Sequence, residues 1–260
     1  MVRLNSMLWS LILVPCVGIA AQRPALKPID TDRPDFTDGT ATIPLGHSQF
    51  ELGYTRTLGR TDSDAPRVQQ VQEGLFRIGI ARQIEIRLSQ NFVTITPNTP
   101  TPRNLNGFDD LGIGTKIALA EQHGATPSLS VEAASRLPTG GRDIAARKFL
   151  PSAALLFGWE GEGRWSMGSE LAGERTPDDH LQLDGSVSVQ YSVLERLQLY
   201  GEWYTFQPVD AGPGNGGEHY ANSGALYRLS NNAQIDARFG VGLNHAASKS
   251  FFGFGFSFRR

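Results

Sequence analysis

Charged side chains recur singly between apolar or aromatic neighbours, always at a spacing of two. Ile84-Glu85-Ile86-Arg87-Leu88 is the clearest case, and Ile235-Asp236-Ala237-Arg238-Phe239 repeats it. Following the same parity along the chain collects Glu51, Arg77, Glu85, Arg87, Lys116, Glu132, Arg136, Glu170, Asp184, Glu202, Asp236 and Arg238. Both signs are present and interleaved. Two chemistries fit such a set: a polar, charge-lined path for a small solute, or ion pairs that fill an interior. A further charged stretch, Asp32-Arg33-Pro34-Asp35, precedes the first of these segments. A pure linker would not need Pro34 and Phe36 together, so this stretch reads as docking under or into the structure that encloses the charges. Arg33 would then pair an interior carboxylate; the alternative is a capping turn below that structure.

Hydrolytic chemistry would need a histidine beside a serine or paired carboxylates. The histidines are His47, His123, His180, His219 and His245, and only His180 and His219 have acids close by, Asp178 and Asp179 for the first and Glu218 for the second. Isolated loop histidines of this kind are more often solvated than catalytic. Asp178 and Asp179 together with Asp62 and Asp64 could bind calcium, but no 12-residue cation loop is present. No catalytic residue, metal or cofactor is therefore expected.

The elements that would position the charges are strands. In a strand, alternate side chains fall on opposite faces, and Phe252, Phe254, Phe256 and Phe258 alternate with Gly253, Gly255 and Ser257. A fully aromatic face is hazardous in water but well placed against lipid on a closed barrel. Twelve such segments are expected, over 47–56, 70–80, 84–93, 110–120, 127–137, 151–159, 165–172, 181–191, 197–206, 219–229, 233–243 and 252–258. Connections after the odd strands are mostly long and polar, and those after the even strands are tight. That alternation suits an outer-membrane barrel with short periplasmic turns, longer outer loops and both termini in the periplasm. Trp159, Trp165 and Tyr191 flank tight turns, as an interfacial aromatic girdle would. The ninth segment is aromatic on both faces, and the register of the ninth and tenth stays open, so Tyr200, Tyr204, Phe206, Tyr220 and Tyr227 are stacking candidates without an assigned side.

Composition agrees. The mean hydropathy of −0.25 is ordinary for a barrel, which needs lipid-compatible residues only at alternate positions. Past the N-terminus the longest apolar run, Ala153 to Trp159, is far short of a spanning helix. Arg3, the apolar run Met7 to Val17 and the small residues Gly18 and Ala20 read as a cleaved signal peptide over 1–21. Residues 22–46 then form a periplasmic N-terminal segment and 47–260 the transmembrane barrel. Cys16, the single cysteine, lies in the leader, so the mature chain would have no thiol chemistry. Loss of the leader takes the formal net charge from −2 to −3, and no clustered basic face suggests nucleic acid.

The stretch Asp30-Thr31-Asp32-Arg33-Pro34-Asp35-Phe36-Thr37-Asp38-Gly39, running into Phe50-Glu51-Leu52-Gly53-Tyr54, resembles the phenol-degradation meta-pathway (MetA-pathway) family of outer-membrane β-barrel transporters. Phe76-Arg77-Ile78-Gly79-Ile80, Asp109-Asp110-Leu111-Gly112-Ile113-Gly114-Thr115-Lys116 and Arg136-Leu137-Pro138-Thr139-Gly140 follow the same pattern. The resemblance implies a monomeric barrel associated with uptake of aromatic compounds, and it carries over no catalytic residues. The sequence departs from the pattern after Phe258: assembly signals usually finish on the aromatic itself, and here Arg259-Arg260 follow. The expected partners are outer-membrane lipid, a small-molecule solute and the barrel-assembly machinery, which would read the C-terminal strand. Three functions remain open at this point: a channel for small solutes, a plugged structural or adhesive barrel whose outer loops bind a partner, and an outer-membrane hydrolase.

Overall fold

The computed structural model describes residues 26–60, 66–100, 103–209 and 216–260. The leader with Cys16, and Asp62 and Asp64, lie outside these residues. The chain forms β1 (Ser48–Leu58), β2 (Val68–Ala81), β3 (Ile84–Ser89), β4 (Phe92–Thr96), β5 (Leu105–Phe108), β6 (Leu111–Ala120), β7 (Ser128–Leu137), β8 (Leu150–Glu160), β9 (Trp165–Arg175), β10 (Leu181–Leu194), β11 (Leu197–Pro208), β12 (Glu218–Ser230), β13 (Ala233–Gly242) and β14 (Ser250–Arg259). Each main strand pairs antiparallel with its neighbours. The sheet closes because β1 pairs with both β2 and β14. Closure removes the open edge that lipid could not satisfy. Among the described residues no helix is long and apolar enough to cross a membrane.

Among the described residues, fourteen hydrogen-bonded segments make twelve staves. β3 and β4 lie end to end along β2 in one unbroken register, Leu75 opposite Ser89 and Gln72 opposite Phe92. β6 and β5 run against them, but Ser89 faces Gly112 while Phe92 faces Phe108, so one extra residue is taken up at Asp109-Asp110. This is a β-bulge. It re-aims the Asp110 carboxylate, which accepts the backbone N–H groups of Thr139 (3.0 Å), Gly140 (2.9 Å) and Arg147 (2.7 Å) and so fastens the loop after β7. The third stave therefore runs on to Thr96, and the fourth begins at Leu105. The connection expected over 94–109 shrinks to 97–104.

The strict period of two sorts the faces. Phe252, Phe254, Phe256 and Phe258 are 44%, 57%, 43% and 43% exposed on the outside, whereas Ser257 beside them is fully buried. Cross-strand ring contacts reinforce the outer face: Phe50 against Phe76 at 4.6 Å, Tyr54 against Phe254 at 5.4 Å. Trp165 meets Tyr191 at 4.5 Å near two tight turns. In β11 the inward set is Gln198, Tyr200, Glu202, Tyr204 and Phe206, and Leu199 and Trp203 point outward. Tyr220 in β12 faces inward, while Tyr227 is 42% exposed on the outer face, away from the other aromatic candidates.

Candidate functional site

The lumen is occupied by the chain itself. The stretch 26–46 rises from the tight-turn end, turns over at 36–39, and returns to the same end, where Leu45 bridges Gly79. At its start, Ile29 N–H donates to the Asn231 carbonyl (2.8 Å) in the turn between β12 and β13. The Lys27 carbonyl accepts from the Arg259 guanidinium (2.6 Å), which also holds Asn231 and Asn232. Ile43 N–H donates to Glu85 (2.7 Å) on the way out. The 21 residues of this stretch carry too many polar groups to lie in lipid alone. Inside the barrel every turn of their backbone meets a polar wall.

One side of that wall is cationic. Arg77, Arg87 and Lys116, from β2, β3 and β6, converge on Asp32: Arg77 at 3.1 Å, Lys116 at 3.0 Å, and Arg87 in direct contact. The same cations are shared with the wall's own acids. Arg77 bonds Glu85 (2.8 Å) and Glu51 (3.0 Å), and Arg87 bonds Glu132 (3.0 Å); Arg87 also holds a second acid of the segment, Asp38 (2.8 Å). Burial opposes ionisation of Asp32, but Arg77, Lys116 and Arg87 outweigh it and hold its carboxyl below the usual range. Lys116 also donates to the Gly39 carbonyl (2.9 Å) and Arg77 to that of Ala41 (3.1 Å).

The other side is acidic and takes mainly the segment's own donors. Glu202 accepts Phe36 N–H (2.9 Å), Thr37 N–H (2.8 Å) and the Thr37 hydroxyl (2.7 Å), and Glu170 accepts Asp38 N–H (3.0 Å). Asp236 and Glu73 take the Arg33 guanidinium, Asp236 at 3.3 Å. That guanidinium lies flat on the paired glycines Gly53 and Gly255. A Cβ at Gly53 would come within 2.2 Å of it, and one at Gly255 within 2.4 Å. Among the described residues no cation pairs Asp35: Ser188 (2.9 Å) and Gln190 (3.2 Å) donate to it, and burial, with Glu202 nearby, pushes its carboxyl up. Above this band Phe36 joins an aromatic cluster of Tyr204, Phe206, Tyr220 and Phe251.

Between the segment and the cationic side a cavity of about 320 Å³ remains, reaching up to Arg136 and Glu174. Glu51, Glu73, Arg87, Glu132 and Arg136 line it. All twelve charged positions singled out by parity lie on the inner face. Arg77, Glu85, Arg87, Lys116, Glu51 and Glu132 form one cluster, while Glu170, Glu202, Asp236 and Arg238 surround the segment elsewhere. Arg136 pairs Glu174 at 3.5 Å towards the loop end, and Asp184 accepts from Gln182 away from the segment. Glu73 was missed. It bonds Arg33 and Arg238 (2.9 Å), and its parity with Arg77 was the available signal. Of the histidines with nearby acids, His219 stacks on Trp203 (6.0 Å) with its Nδ1 buried and unpartnered, and His180 sits in an exposed turn bonded to Thr176. His180 lies in the turn before β10 and His219 near the start of β12, and the two share no site.

The sequence matches the family described as "Putative MetA-pathway of phenol degradation" over residues 31–259. The chain belongs to that family. The match begins at Thr31, so the MetA-pathway family pattern takes in the lumenal segment as well as the wall around it. No curated protein matches this MetA-pathway family member in sequence. Among solved structures it is similar to an outer-membrane channel from Pseudomonas putida F1, with a TM-score of 0.64 at 10% identity over 85% of this chain and 98% of that one. It is also similar to the KdgM porin, with a TM-score of 0.55 at 10% identity over 81% of this chain and 98% of that one. A second KdgM structure, solved with disordered oligogalacturonate, gives 0.52 at 11% over 80% and 98%. At such identities the likeness is one of fold: this MetA-pathway family member is built as outer-membrane channels are.

Proposed function

We propose that the protein is a channel of the bacterial outer membrane for small solutes, and that the stretch 26–46 is its restriction. The observation that carries this reading is the residual cavity. A barrel filled only for stability would be packed by its own side chains throughout, whereas here about 320 Å³ stays open beside the segment, lined by charges of both signs. That volume falls at the low end of ligand-sized cavities. Family membership supports solutes of the aromatic class. In this reading a cleaved leader exports the chain, β14 is the strand that the barrel-assembly machinery engages, and the barrel works as a monomer. The tight turns face the periplasm. The protein performs no catalysis.

Planar-bilayer recordings test the proposal. The folded protein should give small, discrete conductance steps, and Arg33→Ala, which releases the segment from Asp236 and Glu73, should enlarge them several-fold. Arg136→Gln, at the wide end of the cavity, should move the reversal potential towards cation preference. A second reading is favoured by the near-complete burial of Arg77, Lys116, Glu51 and Glu85, which suits a permanently filled barrel that acts through its outer loops. Absence of conductance in both the parent and Arg33→Ala would decide for it.

A further inference from the structure

Phe36 is the single aromatic residue of the lumenal segment 26–46, and its ring is held unlike anything else there. It stacks on Tyr204 at 4.8 Å and 14°, and Tyr204 stacks in turn on Tyr220 at 4.9 Å and 16°. The edge of Phe206 closes the side at 5.2 Å and 86°. Phe251, with the Arg238 guanidinium 5.7 Å from its centroid, backs Tyr220. Phe36 is thus the end ring of a three-ring stack whose other members all belong to the wall. Offset stacking and edge contacts of this kind favour any flat ring with the same quadrupole. A polar acceptor lies at the rim: Glu202, one inward position from Tyr204 on β11, holds the Phe36 and Thr37 N–H groups and keeps Asn222 (2.9 Å) as its fixed partner. If the turn at 36–37 lifts, a ring-sized slot opens beside a carboxylate that has lost the segment's donors and keeps only Asn222.

We infer that this slot is a binding site for a hydroxylated single-ring aromatic, occupied in the resting protein by Phe36, and that such a solute displaces Phe36 and thereby loosens the segment. The solute's ring takes the place of Phe36 on Tyr204, and its hydroxyl donates to Glu202. The inference rests on the channel reading for its physiological meaning, but the site itself can be tested apart from conduction.

Phenol, toluene and cyclohexanol are titrated calorimetrically into the full-length folded protein and into Phe36→Ala, with heat-modifiable gel mobility as the check on assembly. Emptying the slot should raise phenol affinity at least tenfold over the parent. Toluene should bind Phe36→Ala several-fold more weakly than phenol, and cyclohexanol, which cannot stack, more weakly still. Phe36→Leu, which keeps apolar bulk, should fall between parent and alanine and serves if the alanine variant does not assemble. Equal affinity of parent and variants for phenol, or equal binding of cyclohexanol and phenol, overturns the site. Phenol binding without conductance in planar bilayers would overturn the channel reading and leave the site standing. Conductance without phenol binding would do the reverse.

Discussion

The two sides of the lumen hold one segment by opposite means. On the β2, β3 and β6 side the wall supplies Arg77, Arg87 and Lys116, and the segment supplies carboxylates. On the β9 and β11 side the wall supplies the carboxylates Glu170 and Glu202, and the segment offers its backbone N–H groups and the Thr37 hydroxyl. The first side reads side-chain identity, because only an acid at position 32 satisfies three buried cations. The second reads backbone shape, because any residue but proline at 36 or 38 presents the same N–H. A lumenal segment can therefore be specified by charge on one flank while its other flank is held chiefly through backbone groups.

The largest effect should come from the charge-reading side. Asp32→Asn leaves Arg77, Arg87 and Lys116 buried without their shared counter-charge, which costs about 3–5 kcal/mol for an interior network that loses one partner. Limited proteolysis of the assembled barrel should then cut within 26–46 while the strands stay protected; an uncut segment would mean that the cations find partners among Glu51, Glu85 and Glu132 instead. Glu202→Gln should do less. The amide keeps one acceptor oxygen for the turn at 36–37, so the loss is that of charge-assisted bonds, about 1.5–3 kcal/mol. If it equals Asp32→Asn in the same assay, the two flanks are not distinct.

The smallest effect is one of pH and sharpens the contrast further. Docking raises the Asp35 carboxyl, so the docked state holds its proton more tightly than the free segment does. Docking is then fully favoured at pH values below the free carboxyl's, about 4, and weakens as pH rises from there towards the raised value. Asp32 works in the opposite sense, adding stability above its unfolded range and losing it only in strong acid. Proteolytic susceptibility of 26–46 should thus rise gently between about pH 4 and neutrality, and Asp35→Asn should flatten that slope. A slope that persists in Asp35→Asn would assign it to other groups.

The barrel was legible wherever one face meets lipid and the other meets polar atoms. β14, β10 and β13 announce themselves by alternation alone, and their outward residues are those that the pattern selects. Alternation fails in two places for different reasons. In β11 the interior is itself aromatic, since Tyr200, Tyr204 and Phe206 face inward, and periodicity cannot distinguish a ring facing lipid from one facing Phe36. In the first half of β2, Gln70 and Gln72 share the outer face with Tyr54, so both faces are polar and Glu73 is hidden between them. The bulge at Asp109-Asp110 was invisible because two aspartates also begin a turn. Parity picked out the inward charges, but nothing in a spacing of two says which charges meet. Their partners came from a segment with no periodicity at all. Two hints were present: Pro34 with Phe36, which a pure linker would not need, and the glycines at 53 and 255, too small for a wall that needs only to face water.

Arg259 ties the lumenal stretch to the closing of the ring. It stands on β14, the strand that closes the ring against β1, and its guanidinium grips the Lys27 carbonyl at the foot of the lumenal stretch together with Asn231 and Asn232. The Arg33 seat is likewise half built from β14, through Gly255 and the Phe254 carbonyl. A ring of strands still lacking its final member offers neither hold. Full seating of the segment is therefore conditional on closure, and a barrel whose β14 has slipped in register would declare itself by a segment held at Asp32 but loose at Lys27 and Arg33.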